Sequence, residues 1–260
     1  MIDREAVRSN AKYLQEVRPI DPEEIAEYIE GHPHPAVVAQ TLREEAVDLG
    51  LIEREDGTFV PLDAETVSHR EWSPTALPTA YSRVVEELLV DRFGPDWHRG
   101  GSGETLRSTI RELKADYLAG DDIEYDATTA VGYAIYHLPA YYAAVGYVLA
   151  TLTERALLPA SLRVLDVGAG VGGPGLGLHD LIFGDEPDER DPTAGLVEYH
   201  AVEPSPAADV LEGLLNETTR NFRSTIHRSM IEDFDYSAVD GPFDLIVFGN
   251  VCNELDDPVA

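Results

Sequence analysis

The chain has a single cysteine, Cys252, so no disulfide can close within it and no multi-cysteine metal site can form. Lysine is almost missing, with only Lys12 and Lys114. No apolar run reaches the ~18 residues that would span a bilayer. The N-terminus carries no basic segment followed by an apolar one, so no secretory signal is read there. These absences predict a cytoplasmic protein with no membrane partner. The eight histidines are scattered without the spacing of metal ligands, and no metal site is expected.

Acid is what the chain has in excess. Its 49 Asp and Glu residues face 19 Lys and Arg, for a net charge of −30. Acidic residues run along the whole length, yet 43% of the chain is hydrophobic. A disordered acidic tail would lack that apolar content. The composition suits a folded protein solvated for molar salt, as in an extreme halophile. At about 1 M salt the Debye length is only ~3 Å, so this charge neither supports nor excludes an RNA partner.

Three regions are expected. Residues 1–64 form a winged-helix-like unit. Asp21-Pro22-Glu23-Glu24 is a helix start whose apolar face is Ile25, Tyr28 and Ile29. A second helix after Pro35 carries Val37, Val38, Leu42, Ala46 and Leu49 and ends at Gly50. Two strands then flank Asp56-Gly57. The would-be recognition helix sets Arg43 among Glu44, Glu45 and Asp48, a poor surface for a DNA groove, and no DNA partner is expected. Residues 65–158 form a helical lobe, with stripes Tyr81-Val84-Val85-Leu88-Leu89 and Leu106-Ile110-Leu113-Tyr117. The intervening Trp97–Gly103 segment, WHRGGSG, reads as a flexible connector, with a lid or RNA-contact loop as the alternative. Asp126 caps a helix to about His137, and Leu138-Pro139 restarts one toward Arg155. Tyr141 and Tyr142 read as core aromatics, with the wall of an active site as the alternative.

Residues 159–260 alternate strands with helices: LRVLDV, VEYHAV, STIHR and FDLIVF, a parallel α/β sheet. After the first strand comes Gly168-Ala169-Gly170-Val171-Gly172-Gly173, the strand–glycine turn–helix geometry that brings a backbone close to a nucleotide-like cofactor. The spacing Gly168-x-Gly170-x-x-Gly173 also fits a dinucleotide. Asp166 tilts the choice, because a carboxylate two residues before the turn would repel a pyrophosphate and suits a cationic sulfonium and ammonium. Glu203 closes the next strand, where an acid accepts hydrogen bonds from ribose hydroxyls. The last strand ends at Asn250, at the carboxyl edge where ligands of open α/β sheets bind.

The order DVGAGVG, VEPS, FDLIVFGNVCNEL resembles class I S-adenosylmethionine-dependent methyltransferases. YAIYHLPAYYAAVGYVL (Tyr133–Leu149) and Asn253-Glu254-Leu255 resemble, more narrowly, the ribosomal small-subunit methyltransferase-like family with its mitochondrial ribosome-associated members. The resemblance implies a Rossmann-like sheet and S-adenosyl-L-methionine as cofactor. Gly168, Ala169, Gly170 and Gly172 would lie along its methionine part, with Asp166 near the ammonium directly or through water. Glu203 and Pro204 would hold the ribose. Residues 229–232 would contact adenine; Ser229 replaces the usual acid there, leaving Ile231 and Glu232. Asn250 would begin the substrate-facing residues, although the Asp-Pro-Pro-Tyr type of amino-methylating motif is absent. Cys252 reads as inert packing, and no residue is named as catalytic. The implied partner is the ribosomal small subunit or its RNA, acted on by methyl transfer or, alternatively, bound by an assembly factor without turnover. Four strands are counted where the class has seven, so the second half of the sheet is expected to be missing and the fourth strand to leave an open, association-prone edge.

Overall fold

A computed structural model describes residues 2–70, 72–119, 125–185, 188, 190–249 and 251; Asn250, Cys252 and the Asn253-Glu254-Leu255 motif lie outside them. The first unit contains α1 (Arg4–Leu14), α2 (Pro22–Tyr28), α3 (Pro35–Glu44), α4 (Ala46–Leu49) and the hairpin β1 (Leu51–Glu53) and β2 (Phe59–Pro61). Asp21 caps α2 through the Glu23 N–H, as its sequence demands. Val7, Ala11 and Leu14 of α1 complete a core with Ile20, Ile25, Val38, Leu42 and Phe59. Tyr28 and Val37, expected in that core, are 66% and 45% exposed. Only one stripe of each short helix can face inward, and Ile25, Ile29 and Val38 occupy it.

This unit does not stand apart from the sheet. Asn221 reads the backbone of Glu53 from both sides: its Oδ1 accepts the Glu53 N–H at 2.9 Å and its Nδ2 donates to the Glu53 carbonyl at 3.0 Å. The expected second helix breaks after Glu44 into α3 and α4, and Asp48 of α4 pairs with Arg163 of the sheet at 3.4 Å. Arg43 is held by both oxygens of Glu53, at 2.7 and 2.6 Å. The one cation of the expected recognition surface is therefore spent internally.

The helical lobe comprises α5 (Thr79–Phe93), α6 (Gly100–Ala119), α7 (Ala127–Tyr136) and α8 (Leu138–Glu154). The cap at Asp126 falls where the sequence puts it, and α5 stops at Gly94. The expected connector is shorter than WHRGGSG. Residues 100–103 form the first turn of α6, where the Gly103 N–H donates to Arg99 at 3.1 Å and glycine lets the turn press on the His98 carbonyl. Tyr142 is fully buried core, while the Tyr141 ring stacks on His137 with centroids 5.4 Å apart.

The last region holds β3 (Ser161–Val167), α9 (Gly173–Phe183), β4 (Leu196–Val202), α10 (Ala207–Leu215), β5 (Phe222–His227) and β6 (Leu245–Phe248). All four strands are parallel in the order β5-β4-β3-β6, with Val164 opposite Tyr199 and Leu245. The chain steps outward from β3 to β5 and then crosses back to the other side of β3. This is the Rossmann-like doubly wound arrangement, and its strand order reverses between β3 and β6. One face buries Leu162, Val164, Val197, Tyr199 and Ala201 against α9, α10 and the lobe.

The lobe is fastened to the sheet layer by a buried carboxylate. Asp180 of α9 is fully buried; its Oδ1 accepts from the Tyr81 hydroxyl at 2.9 Å and its Oδ2 from the Tyr142 hydroxyl at 2.6 Å. His179 Nε2 accepts the Thr219 N–H at 2.9 Å, which leaves its proton on Nδ1, 2.6 Å from Asp180. Arg190 adds a cation at 3.8 Å. Three helices, α5, α8 and α9, thus meet on one charge. Replacing Asp180→Ala strands several buried donors and should lower unfolding free energy by roughly 3–5 kcal/mol. Tyr142→Phe, which removes one donor, should cost ~1.5–3 kcal/mol. Urea denaturation midpoints check both; an Asp180→Ala loss under about 1 kcal/mol would show that the latch does not hold the lobe.

Candidate functional site

β3 carries Leu162, Val164, Leu165 and Val167 with the charged Arg163 and Asp166 among them, and the chain then needs a sharp reversal into α9. Gly168, Gly170 and Gly172 take φ of +64°, +55° and +84°, a region that side chains with a Cβ avoid. Gly172 is also the residue before α9 and packs on Leu211. Gly173 has ordinary φ; a Cβ there would strike Tyr141 of α8, so this glycine serves helix packing.

Four N–H groups of this turn, those of Gly168, Ala169, Gly170 and Gly172, are engaged within the protein. Gly168 and Ala169 donate to the Val202 carbonyl at 2.9 and 3.2 Å, and Gly172 donates to Ala169 at 2.9 Å. Gly170 donates to Glu203 Oε2 at 2.7 Å, while the other oxygen of Glu203 accepts the Ser205 N–H at 2.9 Å. Glu203 is 7% exposed and ties the turn after β3 to the end of β4. Each carboxylate oxygen offers about two acceptor positions, so Glu203 keeps capacity for further donors.

A cleft of about 140 Å³ opens over these groups, at the carboxyl ends of β3 and β4 beside the strand-order reversal. Gly168, Gly170, Glu203, Pro204 and Ile231 line it, joining five of the residues expected from sequence. Ser205, Ser229 and Met230 extend it, and Tyr125 and Tyr133 supply an aromatic wall from the lobe. Among its described lining residues there is no lysine or arginine, and Glu203 is the formal charge.

Other expected residues stand back. Ala169 is 5% exposed beneath the turn. Glu232 begins no cleft wall: it lies exposed in the short 3-10 turn Ile231–Asp233, which directs Ile231 inward instead. Asn250 lies outside the described residues. Asp166 is 1% exposed, on the face of the sheet under α9. Its Oδ2 accepts from the Tyr199 hydroxyl at 2.6 Å, and Oδ1 has no partner among the described residues. Gly175 of α9 makes room for that hydroxyl, since a Cβ there would come within 2.5 Å of it. Tyr125 and Tyr133 were not read as site residues. Their signal, two tyrosines flanking the capped start of a helix just before the glycine strand, has no meaning until the lobe folds over the turn.

Burial pushes the Asp166 carboxyl up to about 7, against the Tyr199 hydrogen bond and with help from the Glu203 charge. Burial, with the charge of Asp166, raises the Tyr199 hydroxyl well above its usual range.

The N-terminal part of the chain, residues 4–55, matches the family model described as "Domain of unknown function (DUF8157) N-terminal domain". No curated protein matches the sequence. Among solved structures, a Nostoc punctiforme PCC 73102 protein described as an O-methyltransferase is similar over 93% of this chain and 64% of its own, at 12% identity and a TM-score of 0.33. The N,N-8-amino-8-demethyl-D-riboflavin dimethyltransferase of Streptomyces davawensis is similar over 86% of this chain and 62% of its own, at 15% identity and a TM-score of 0.20. The chain thus spans somewhat less than two thirds of each neighbour. Superpositions this loose carry no functional argument, which falls to the cleft itself.

A carboxyl raised in the folded state makes the fold bind a proton that the unfolded chain has already lost. Between the unfolded value near 3.8 and the folded value of about 7, stability therefore falls as pH rises, by up to ~1.4 kcal/mol per pH unit. Asp166→Asn removes this term. Relative to wild type, the variant should gain stability on going from pH 4 to pH 8, as read from urea midpoints at the two values. A wild-type-minus-variant difference independent of pH would mean that Asp166 titrates normally.

Proposed function

We propose that the protein is an S-adenosyl-L-methionine-dependent methyltransferase acting on ribosomal small-subunit RNA or a ribosome-associated substrate. The observation that carries the cofactor is the electrostatic character of the cleft. The described lining holds one carboxylate and no Lys or Arg, and the turn's N–H groups at Gly168, Ala169, Gly170 and Gly172 are already spent on protein acceptors. A pyrophosphate at that place would meet the Glu203 carboxylate, no Lys or Arg among the described lining residues, and these four N–H groups already taken. A cofactor that is cationic at one end and carries vicinal hydroxyls fits the same groups.

In this reading Glu203 accepts from the ribose with the lone pairs that Gly170 and Ser205 leave free. Met230 and Ile231 offer apolar contact for the adenine. The backbone at Gly168 and Gly170 lies along the methionine part. Asp166, buried beneath the turn, makes no direct contact in this reading. When bound, the cofactor supplies an electrophilic methyl group for in-line attack by a substrate atom. The residues of this chain align the two reactants, and Tyr125 and Tyr133 shield the cleft from water. No side chain of the described cleft is placed as a general base. The ribosomal substrate rests on the sequence resemblance of Tyr133–Leu149 and Asn253-Glu254-Leu255.

Methyl-labelled cofactor incubated with small-subunit RNA tests the reading. The expected result is label in the RNA, with cofactor affinity reduced roughly 10–100-fold in Glu203→Ala, the loss of one or two charge-assisted hydrogen bonds. Tight cofactor binding with no label in RNA or in small-subunit protein would overturn the enzyme and leave a cofactor-binding assembly factor.

A further inference from the structure

One stretch of this chain departs from its acidic character. From Ala127 to Thr153, through α7 and α8, there is no Asp, Glu, Lys or Arg, although 26% of the whole chain is charged. The inner side of α8 explains half of this, because Leu138, Tyr142, Gly146 and Leu149 are buried against the α9 layer. The outer side has no such reason. Ala140, Ala144 and Thr151 are exposed, Tyr147 is 71% exposed and Val148 is 62% exposed. These residues recur at helical spacing and form one face, and Tyr136 lies at its N-terminal end, 49% exposed.

We propose that this face of α8 is the contact between two copies of the chain. The proposal is independent of the methyltransferase reading. Three features favour a second copy as the occupant. First, RNA is a poor occupant, since the face offers no cation to a phosphate backbone. Second, two molecules of net charge −30 repel wherever acidic surfaces meet, and this face lets them meet without apposing like charges. Third, the face is complementary to itself. Ala140, Ala144 and Val148 form an i, i+4 ridge, the kind that interdigitates with its own copy at a crossing angle of about −50°. A two-fold axis at Ala144 brings small Ala140 against larger Val148 of the partner subunit, and the reverse, as an isologous contact requires. The α8 pair alone buries less than the ~1,200 Å² of stable interfaces, so the dimer should be weak and concentration-dependent.

Sedimentation velocity on the full chain tests this. The expected mass is 28.5 kDa when dilute, rising toward twice that at high micromolar concentration. Association should strengthen at least tenfold between about 0.1 M and 1 M NaCl, as the Debye length shrinks from ~10 Å to ~3 Å. The double variant Tyr147→Glu/Val148→Glu should remain monomeric. Both positions are solvent-exposed, and unchanged circular dichroism would confirm its fold. Leu118→Glu alters an exposed apolar residue, 75% exposed, outside this face and should dimerise like wild type. A monomer at every concentration and salt overturns the proposal and leaves the face for a different protein. A dimer that survives the double variant, or is lost in Leu118→Glu alone, overturns it too.

Discussion

The site depends on how the Glu203 carboxylate is used. One oxygen takes the N–H of Gly170 and the other that of Ser205, so a single side chain fixes the turn after β3 against the end of β4. The two strands are already in parallel register, from Ser161 opposite Leu196 to Val167 opposite Val202, and the Val202 carbonyl takes the N–H groups of Gly168 and Ala169. Four of the turn's N–H groups are therefore taken before any ligand arrives. Glu203 keeps acceptor capacity, and Met230, Ile231, Pro204 and the two tyrosines set apolar surface around it. The proposed cofactor, cationic at one end and bearing vicinal hydroxyls, is read from these features.

Charge is handled in the same way elsewhere in the fold. Asp166 is buried with Tyr199 as its donor, and Asp180 with Tyr81, Tyr142 and His179. Tyrosine hydroxyls are donors to both buried carboxylates, and arginines join separate parts of the chain. Arg163 joins Asp48 of the N-terminal unit to Glu198 of the sheet, and Arg43 is closed on Glu53. The N-terminal unit is thereby tied to the sheet through Asp48 and Arg163, while its Arg43 pairs within the unit.

Much of the fold was legible because it rests on local chemistry. Asp21 with Pro22, Asp126 and Gly94 mark helix ends through hydrogen bonds made within a few residues, and the four apolar strands announce themselves between glycine and proline. Helix α1 carried a signal that went unread, since Val7, Ala11 and Leu14 stand at helical spacing in an otherwise polar segment. Residues 100–103 misled because glycine propensity argues for a loop, while α6 recruits them as its first turn. In the site, Glu203 and the glycines were readable from their place after the strands. The aromatic wall and the internal use of the turn's N–H groups were not, because both depend on residues brought together from distant parts of the chain.

The central claim is the cofactor preference of the cleft, and titration calorimetry of the wild-type chain with S-adenosylmethionine and with NAD in parallel tests it most directly. The account predicts saturable, one-site binding of S-adenosylmethionine and no heat of binding from NAD. NAD binding with equal or greater affinity would contradict it, because a pyrophosphate would then sit beside the Glu203 carboxylate in a cleft whose described lining holds no Lys or Arg.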